Sequence, residues 1–254
     1  MNLKTSKNEL LLLIDIGNSY TAFAELDLAQ GFNKVDLAHL PIKKIAEKRT
    51  TLFIDTFQES DFLKYKKIII ASVVTQANQL FKNLPQAIFV NHLNTPLKNN
   101  LEKPEQIGAD RLINALAGFS LTNTSTLIID SGTATTFCYV DAFGVYQGGV
   151  ILPGLEISSK ALHDYTSKVP LIWVKEKNVI FGKSTKEAVE VGLFYSFIYT
   201  INSFIDSYRK FDPKIKVVGT GTAIKEFKNY FTLDFFEANL IFLGLSIFAL
   251  SLKL

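Results

Sequence analysis

The strongest pattern along the chain is a run of apolar residues that stops at an acid. Leu10–Ile14 reads as a buried strand ending at Asp15, followed by Gly17, Asn18, Ser19 and Tyr20, and Thr21–Leu26 continues as a second strand. Ile128, Ile129 and Asp130 repeat the pattern, with Gly132 as the turn and threonines leaving it. Asp15 falls on Asp130, Gly17 on Gly132 and Thr21 on Thr136, at one constant spacing. A shared register of acid, glycine and hydroxyl predicts two homologous halves. Glycine lets a backbone approach an anion closely, and neighbouring N–H groups and hydroxyls donate to it. Each stretch alone reads equally well as an ordinary hairpin or as a phosphate-and-cation loop.

Between these stretches, Phe53–Tyr65 has helical spacing, Lys67–Val74 reads as a buried strand and Ala87–Val90 as a short one. Asn94–Pro104, with two prolines, is a loop. Leu112, Ala115, Leu116 and Phe119 recur at helical spacing, which puts Asp110 and Arg111 in a helix's first turn. An acid there is explained by the helix dipole alone, worth about 0.3–1 kcal/mol, but a cation is not. Thr136–Val140 and Gly144–Tyr146 predict a hairpin leading to Gly148–Gly154, where glycines and a proline suit a backbone placed against a ligand.

Leu155–His163 predicts a helix, Pro170–Val174 an extended piece, and a long helix runs from near Ser184 to about Lys210. Ser184 and Glu187 have capping-box spacing, which accounts for Ser184 and Thr185 without any ligand. Lys216–Val218 predicts a strand, Gly219–Thr222 a turn, Ala223–Phe227 a helix opening and Asn239–Leu252 a final helix. Strands and helices interleave in both halves, so the class is α/β. The halves are placed at 1–121 and 122–254, with a cleft between them.

Composition narrows the options. The 254 residues are 48% hydrophobic, enough for a sizeable core. A net charge of +3 makes nucleic acid a poor candidate partner, and Lys43, Lys44, Lys48, Arg49, Lys64, Lys66 and Lys67 read as solvated faces. The single cysteine, Cys138, forms no internal disulfide and fits a reducing compartment as a buried thiol. Met1–Glu9 lacks an apolar signal core, and Leu240–Leu252 is shorter than the roughly 20 residues a bilayer requires. The expectation is a cytoplasmic protein without membrane partners.

Several familiar sites fail on inspection. Gly182-Lys183-Ser184 ends like a P-loop, but Lys177 stands where its first glycine belongs. Gly219-Thr220-Gly221 lacks the third small residue of the dinucleotide fingerprint, where Ile224 stands. His39, His92 and His163 are far apart, which disfavours zinc, and no G-x-S-x-G elbow occurs.

Taken together, DIGNS from Asp15, GADR from Gly108, DSGTATT from Asp130, GGVILPG from Gly148 and GKSTKEAVEVG from Gly182 resemble, in order, the type III pantothenate kinases. The resemblance covers nearly the whole chain, including Gly244–Leu245. It implies the acetate/sugar kinase–Hsp70–actin superfamily, in which two ribonuclease H-like halves flank a nucleotide cleft. It implies ATP-dependent phosphorylation of pantothenate to 4′-phosphopantothenate, the first step towards coenzyme A, by a homodimer.

Carried over by motif, the resemblance implies that Asp15, Ile16, Gly17, Asn18, Ser19, Tyr20, Thr21 and Ala22 form the first phosphate loop and that Thr133 contacts ATP. Asp130 would bind a monovalent cation, potassium or ammonium, and Mg²⁺ would accompany ATP. Gly108, Ala109, Asp110, Arg111 and Thr185 would hold pantothenate, with Asp110 as general base on its primary hydroxyl. Three departures stand out. Leu101 occupies the place of a usual tyrosine, Thr222 that of a glycine in the adenosine turn, and Ser19 that of a threonine. They leave two other readings, a regulatory protein of the same fold or a kinase for another small hydroxylated acid. The family's other name, Bvg accessory factor, records a link to transcription.

Overall fold

Strand β1 (Leu10–Ile16) is apolar on both faces, and Leu11, Leu12, Leu13 and Ile14 are all buried, so both faces of the sheet are covered here. It pairs antiparallel with β2 (Tyr20–Asp27) and parallel with β4 (Lys67–Ser72). β3 (Ile42–Arg49) adds antiparallel to β2, and β5 (Ala87–Phe89) adds parallel to β4. The order is therefore β3-β2-β1-β4-β5. The computed structural model describes residues 10–28 and 40–252, so the expectations for Met1–Glu9 and His39 lie outside the described residues.

The second sheet repeats this plan. β7 (Thr126–Ser131) pairs antiparallel with β8 (Ala134–Val140), which pairs antiparallel with β9 (Val145–Pro153). On the other side β7 pairs parallel with β10 (Lys216–Thr220), and β10 with β11 (Phe235–Phe236). Read outward from the central strand, the five strands given for each sheet have the same order and the same polarities. This is the ribonuclease H-like arrangement expected from the sequence, present twice.

One face of the first sheet carries Leu12, Ile14, Ile16, Ile68 and Ile70. It packs on Phe53 of α1 (Thr50–Asp55), on Phe62 of a single 3₁₀ turn, on Ala77 of α2 (Thr75–Asn78) and on Phe81. The expected helix over Phe53–Tyr65 is thus two short pieces separated at Thr56–Gln58. Three phenylalanines meet across that break, with Phe57 stacked on Phe62 at 5.0 Å and edge-on to Phe81. β3 was not anticipated. Lysines stand on both of its faces, which hides the period-2 signal and blunts an edge strand against further pairing. After β5 come a two-residue strand, β6 (Lys98–Asn99), and helix α3 (Ala109–Thr122).

In the second unit, Leu127, Ile129, Phe137 and Val217 pack on Phe194, Phe197, Ile198, Ile201 and Ile205 of α5 (Thr185–Phe211). By length and composition α5 could cross a membrane, but this apolar stripe is the core of its own unit. α4 (Leu155–Asp164) follows β9 and α6 (Thr222–Glu226) follows β10. Cys138 is buried and accepts a hydrogen bond from the Tyr146 hydroxyl at 3.4 Å.

The chain forms two compact units, Met1–Leu121 with Asn239–Leu254, and Thr122–Ala238. The simple division at 121/122 therefore needs a correction at the C-terminus. Helix α7 (Leu240–Ser251) is apolar nearly all round and packs against β1, β3 and β4 of the first unit. Its contact with α3 is close enough that a β-carbon on Gly244 would strike the Ile113 carbonyl and lie 2.6 Å from Ile113 Cγ2. Because a backbone atom is in the way, relaxation is costly. Gly244→Ala is expected to lower stability by about 1–3 kcal/mol, measured as a lower urea midpoint with unchanged m.

Candidate active site

In each unit the central strand carries a half-buried aspartate one residue before its end, and the turn beyond it is held by bonds from neighbouring segments. In the first unit Gly17 N–H donates to Tyr20 O at 3.0 Å and closes the turn after Asp15. Asn18 is exposed and Ser19 half-buried, so the turn offers backbone and polar side chain outward. Ile16 and Thr21 are fully buried, and their contribution to any ligand is limited to shaping the backbone. The Thr21 hydroxyl is 3.1 Å from that of Thr50, which in turn donates to Gly17 O at 2.6 Å. Tyr20 lies under the Arg49 guanidinium at 5.3 Å.

The first-turn aspartate of α3 belongs to the same edge. Val73, just past β4, donates its N–H to Ile16 O at 3.1 Å. A β-carbon on Gly108 would lie 3.4 Å from Val73 Cγ1 and would collide with Asp110 Oδ1. The Asp110 carboxylate therefore fills the space a side chain at 108 would take, and Oδ1 accepts from Arg111 N–H at 2.8 Å. Burial pushes the Asp110 pKa above the ordinary carboxylate value, although the Arg111 N–H bond and the Arg111 charge pull the other way. Asp15, the Gly17–Ser19 turn, Gly108 and Asp110 are thus brought to one end of one sheet, where α/β proteins place ligands.

In the second unit Asp130 pairs across the ladder with Thr220. Gly221 follows at φ +90°, and a β-carbon there would lie 2.7 Å from Asp130 Oδ1 and 2.5 Å from Ser131 O. Only a glycine accepts both that dihedral and that proximity. Thr222 is the first residue of α6, so the positive φ does not fall on the β-branched residue. Thr133 is exposed, and its carbonyl accepts from Gly154 N–H at 3.1 Å. Gly154, at the end of the Gly148–Gly154 stretch, thus lies against the turn itself.

The repeat between the two turns is real but one residue out of step. Asp15 pairs with Ala22, whereas Asp130 pairs with Thr136. The first turn is one residue longer, and the counterpart of Thr21 is Thr135 rather than Thr136. Both of these threonines are buried, and Thr135 bonds Ser131 Oγ at 2.8 Å. Thr185 stands on a separate element, exposed as the first residue of α5. The expected Ser184–Glu187 cap is present, with Glu187 N–H donating to Ser184 Oγ at 3.2 Å, while the Glu187 carboxylate accepts from Lys183 N–H at 2.7 Å, one residue before the cap. Leu101 is half-buried and outside regular structure. Thr50 and Gly154 were missed as supports because no local motif marks them.

Asp130 presents a hard carboxylate oxygen close beside Gly221, the ligand type that hard cations prefer, so its chemistry suits the cation that the resemblance implies. Among the described residues no three His, Cys, Asp or Glu side chains cluster to form a metal cage. A divalent ion carried on substrate phosphates needs no such cage.

Comparison with known proteins agrees with the geometry. The family model for type III pantothenate kinase matches residues 11–207. A type III pantothenate kinase of Hyphomonas neptunium is 31% identical over 93% of this chain and 97% of its own length. That of Citrifermentans bemidjiense is 32% identical over 89% and 96%. Among solved structures, a Campylobacter jejuni protein described as a conserved Baf family transcriptional activator superposes with a TM-score of 0.63 at 21% identity. It covers 95% of this chain and 98% of that one. A Sinorhizobium meliloti protein described as a 2-dehydro-3-deoxygalactonokinase gives 0.55 at 11% identity over 95% and 99%, a likeness of fold alone.

The collision at residue 108 involves the end of a side chain, so the fold can absorb it while the carboxylate cannot keep its place. Gly108→Ala is expected to leave the melting temperature within about 2 °C and to lower kcat about 10²-fold, the scale of a 1 Å misplacement. Thermal unfolding and steady-state turnover on the same preparation check it.

Proposed function

We propose how individual residues divide the labour of the family to which this chain belongs, the type III pantothenate kinases. The family's reaction is ATP-dependent phosphorylation of pantothenate, which opens coenzyme A biosynthesis. The observation that carries the assignment is Asp110, a half-buried carboxylate with its pKa raised, fixed by Gly108 beside the strand-end turn of its unit.

Asp110 is the general base. It accepts the proton of the primary hydroxyl as that oxygen bonds to the γ-phosphorus and the bond from phosphorus to the β–γ bridging oxygen breaks, releasing ADP. A positioned base contributes about 10²–10⁴-fold. Arg111 orients the substrate's carboxylate, and Gly108, Ala109 and Thr185 complete its contacts. The turn within Asp15–Ala22 holds phosphate through its backbone N–H groups, and Thr133 adds a contact from the second turn. Phosphoryl transfer relies mainly on such positioning and charge neutralisation.

Asp130 holds a monovalent cation, potassium or ammonium, and Mg²⁺ arrives with ATP; both supply positive charge against the phosphates. A homodimer in a reducing, cytoplasmic setting completes the reading, and the lone buried Cys138 suits that setting. Leu101 is the feature that favours a second reading, a kinase for another small hydroxylated acid. Turnover against a panel of hydroxy acids in potassium buffer separates the two. A purely regulatory role would show as no turnover with any of them.

Asp110→Asn is expected to reduce kcat by about 10²–10⁴-fold while ATP still binds in calorimetric titration. Full turnover in that variant would refute the base assignment. The raised pKa also fixes the sign of two pH effects. Activity needs the carboxylate, so kcat should fall as pH drops through a pKa above the usual aspartate value of about 3.9. The folded protein holds this proton more tightly than the unfolded chain, so Asp110 costs stability as pH rises through the same window. Asp110→Asn should therefore unfold at equal or higher temperature than the parent at pH 8, with the gap closing towards pH 4.

Exchanging potassium for sodium should lower turnover of the parent. Asp130→Asn is expected to lower turnover and to remove that discrimination, and a variant that keeps it would refute the cation assignment.

A further inference from the structure

Thr50 is the first residue of α1, directly after β3, and it touches the turn of the first unit in three places. Its hydroxyl donates to Gly17 O at 2.6 Å, its N–H donates to Ser19 O at 3.1 Å, and its hydroxyl lies 3.1 Å from that of Thr21. Thr50 is 3% exposed, which places it behind the turn rather than on its ligand-facing side. A buried residue that ties down two carbonyls of a four-residue turn, Gly17 O through its hydroxyl and Ser19 O through its backbone N–H, turns those peptide planes so that their N–H groups face outward. We propose that Thr50 is a positioning residue for the phosphate turn, setting the orientation of the amides at Asn18–Tyr20 and through them the affinity for nucleotide.

The second unit supports this independently. By strand order, Gly154 is the counterpart of Thr50, since each is the first residue after the third strand of its sheet. By ladder register, Thr133 is the counterpart of Ser19. Gly154 N–H donates to Thr133 O at 3.1 Å, as Thr50 N–H does to Ser19 O. The duplication has kept one latch in both units and built it from different materials. In the second unit the two backbones are so close that a β-carbon at 154 would lie 2.6 Å from Thr133 O, leaving no room for a side chain. In the longer first turn there is a gap, and the Thr50 hydroxyl fills it with a hydrogen bond.

The inference rests on the reading of Asp15–Ala22 as the phosphate turn, so its test includes a variant of the turn itself. Thr50→Val keeps the shape and removes the donor. It is expected to raise KM for ATP and weaken ADP binding about tenfold, with KM for pantothenate changed less than about twofold. Thr50→Ser, which keeps the hydroxyl, should return both nucleotide parameters to within about threefold of the parent. If Thr50→Val does not fold, Thr50→Cys, a near-isosteric weak donor, should show the same selective shift at about threefold. Asp15→Asn tests the turn directly. If it impairs ATP use while the Thr50 variants lower only the melting temperature, Thr50 is structural and the inference is wrong. If Asp15→Asn and Thr50→Val both leave ATP parameters unchanged, the phosphate-turn reading fails and the inference fails with it.

Discussion

The parallel pairing of β1 with β4, and of β7 with β10, is the constraint on which both units depend. A strand paired antiparallel on one side and parallel on the other turns back through a hairpin on the first side only. Beyond its carboxyl end on the second side the chain must leave the sheet, and space opens there. Val73 N–H on Ile16 O is the last bond before that opening in the first unit, and Gly221 stands against Ser131 at the same place in the second. Asp15 and Asp130 sit one residue before the ends of their strands, half-buried beside the opening. The apolar strands Leu10–Ile14 and Leu127–Ile129 are what make this rigid. They are buried on both faces, so neither can slip by one residue without carrying its apolar side chains out of register.

Duplication has kept the frame and changed the fittings. Strand order, polarity, the strand-end acid and the backbone latch are the same in both units. The turn lengths differ by one residue, and the supports differ with them. In the first unit a side chain supplies the latch, and Asp110, from a helix that follows the sheet, is seated against Val73 through Gly108. In the second unit the corresponding edge is occupied by Gly221 and Asp130, and among the described residues the first turn of α6 carries no acid.

Much of this was legible in the sequence where one physical rule dominates. Buried central strands read as unbroken apolar runs, α3 and α5 carry helical periodicity, and the Ser184–Glu187 cap follows from spacing. The places that were not legible share a cause, which is that tertiary contacts decided them. β3 has lysines on both faces because it is an edge. The break at Thr56–Gln58 is set by aromatic packing of Phe57 and Phe62. Helix α7 returns to the first unit because its all-round apolar surface needs the face of β1 and β4 and a glycine against Ile113. The one-residue shift of the repeat was hidden because Thr135 and Thr136 are both threonines, so either register places a hydroxyl opposite Thr21.

That last ambiguity shows what a hydroxyl in such a turn is for. A run of threonines beside a glycine invites assignment of every hydroxyl to the ligand, yet Thr21 and Thr135 are buried and bonded to protein. They hold the turn closed from inside, where an unbonded hydroxyl would cost about 1–3 kcal/mol. On the proposed reading, the groups left to meet a phosphate are mainly backbone N–H donors, which cannot be read from residue type. Their direction is fixed by whatever grips the carbonyls behind them, and in this chain those grips are Thr50 and Gly154, each more than twenty residues from the turn it holds.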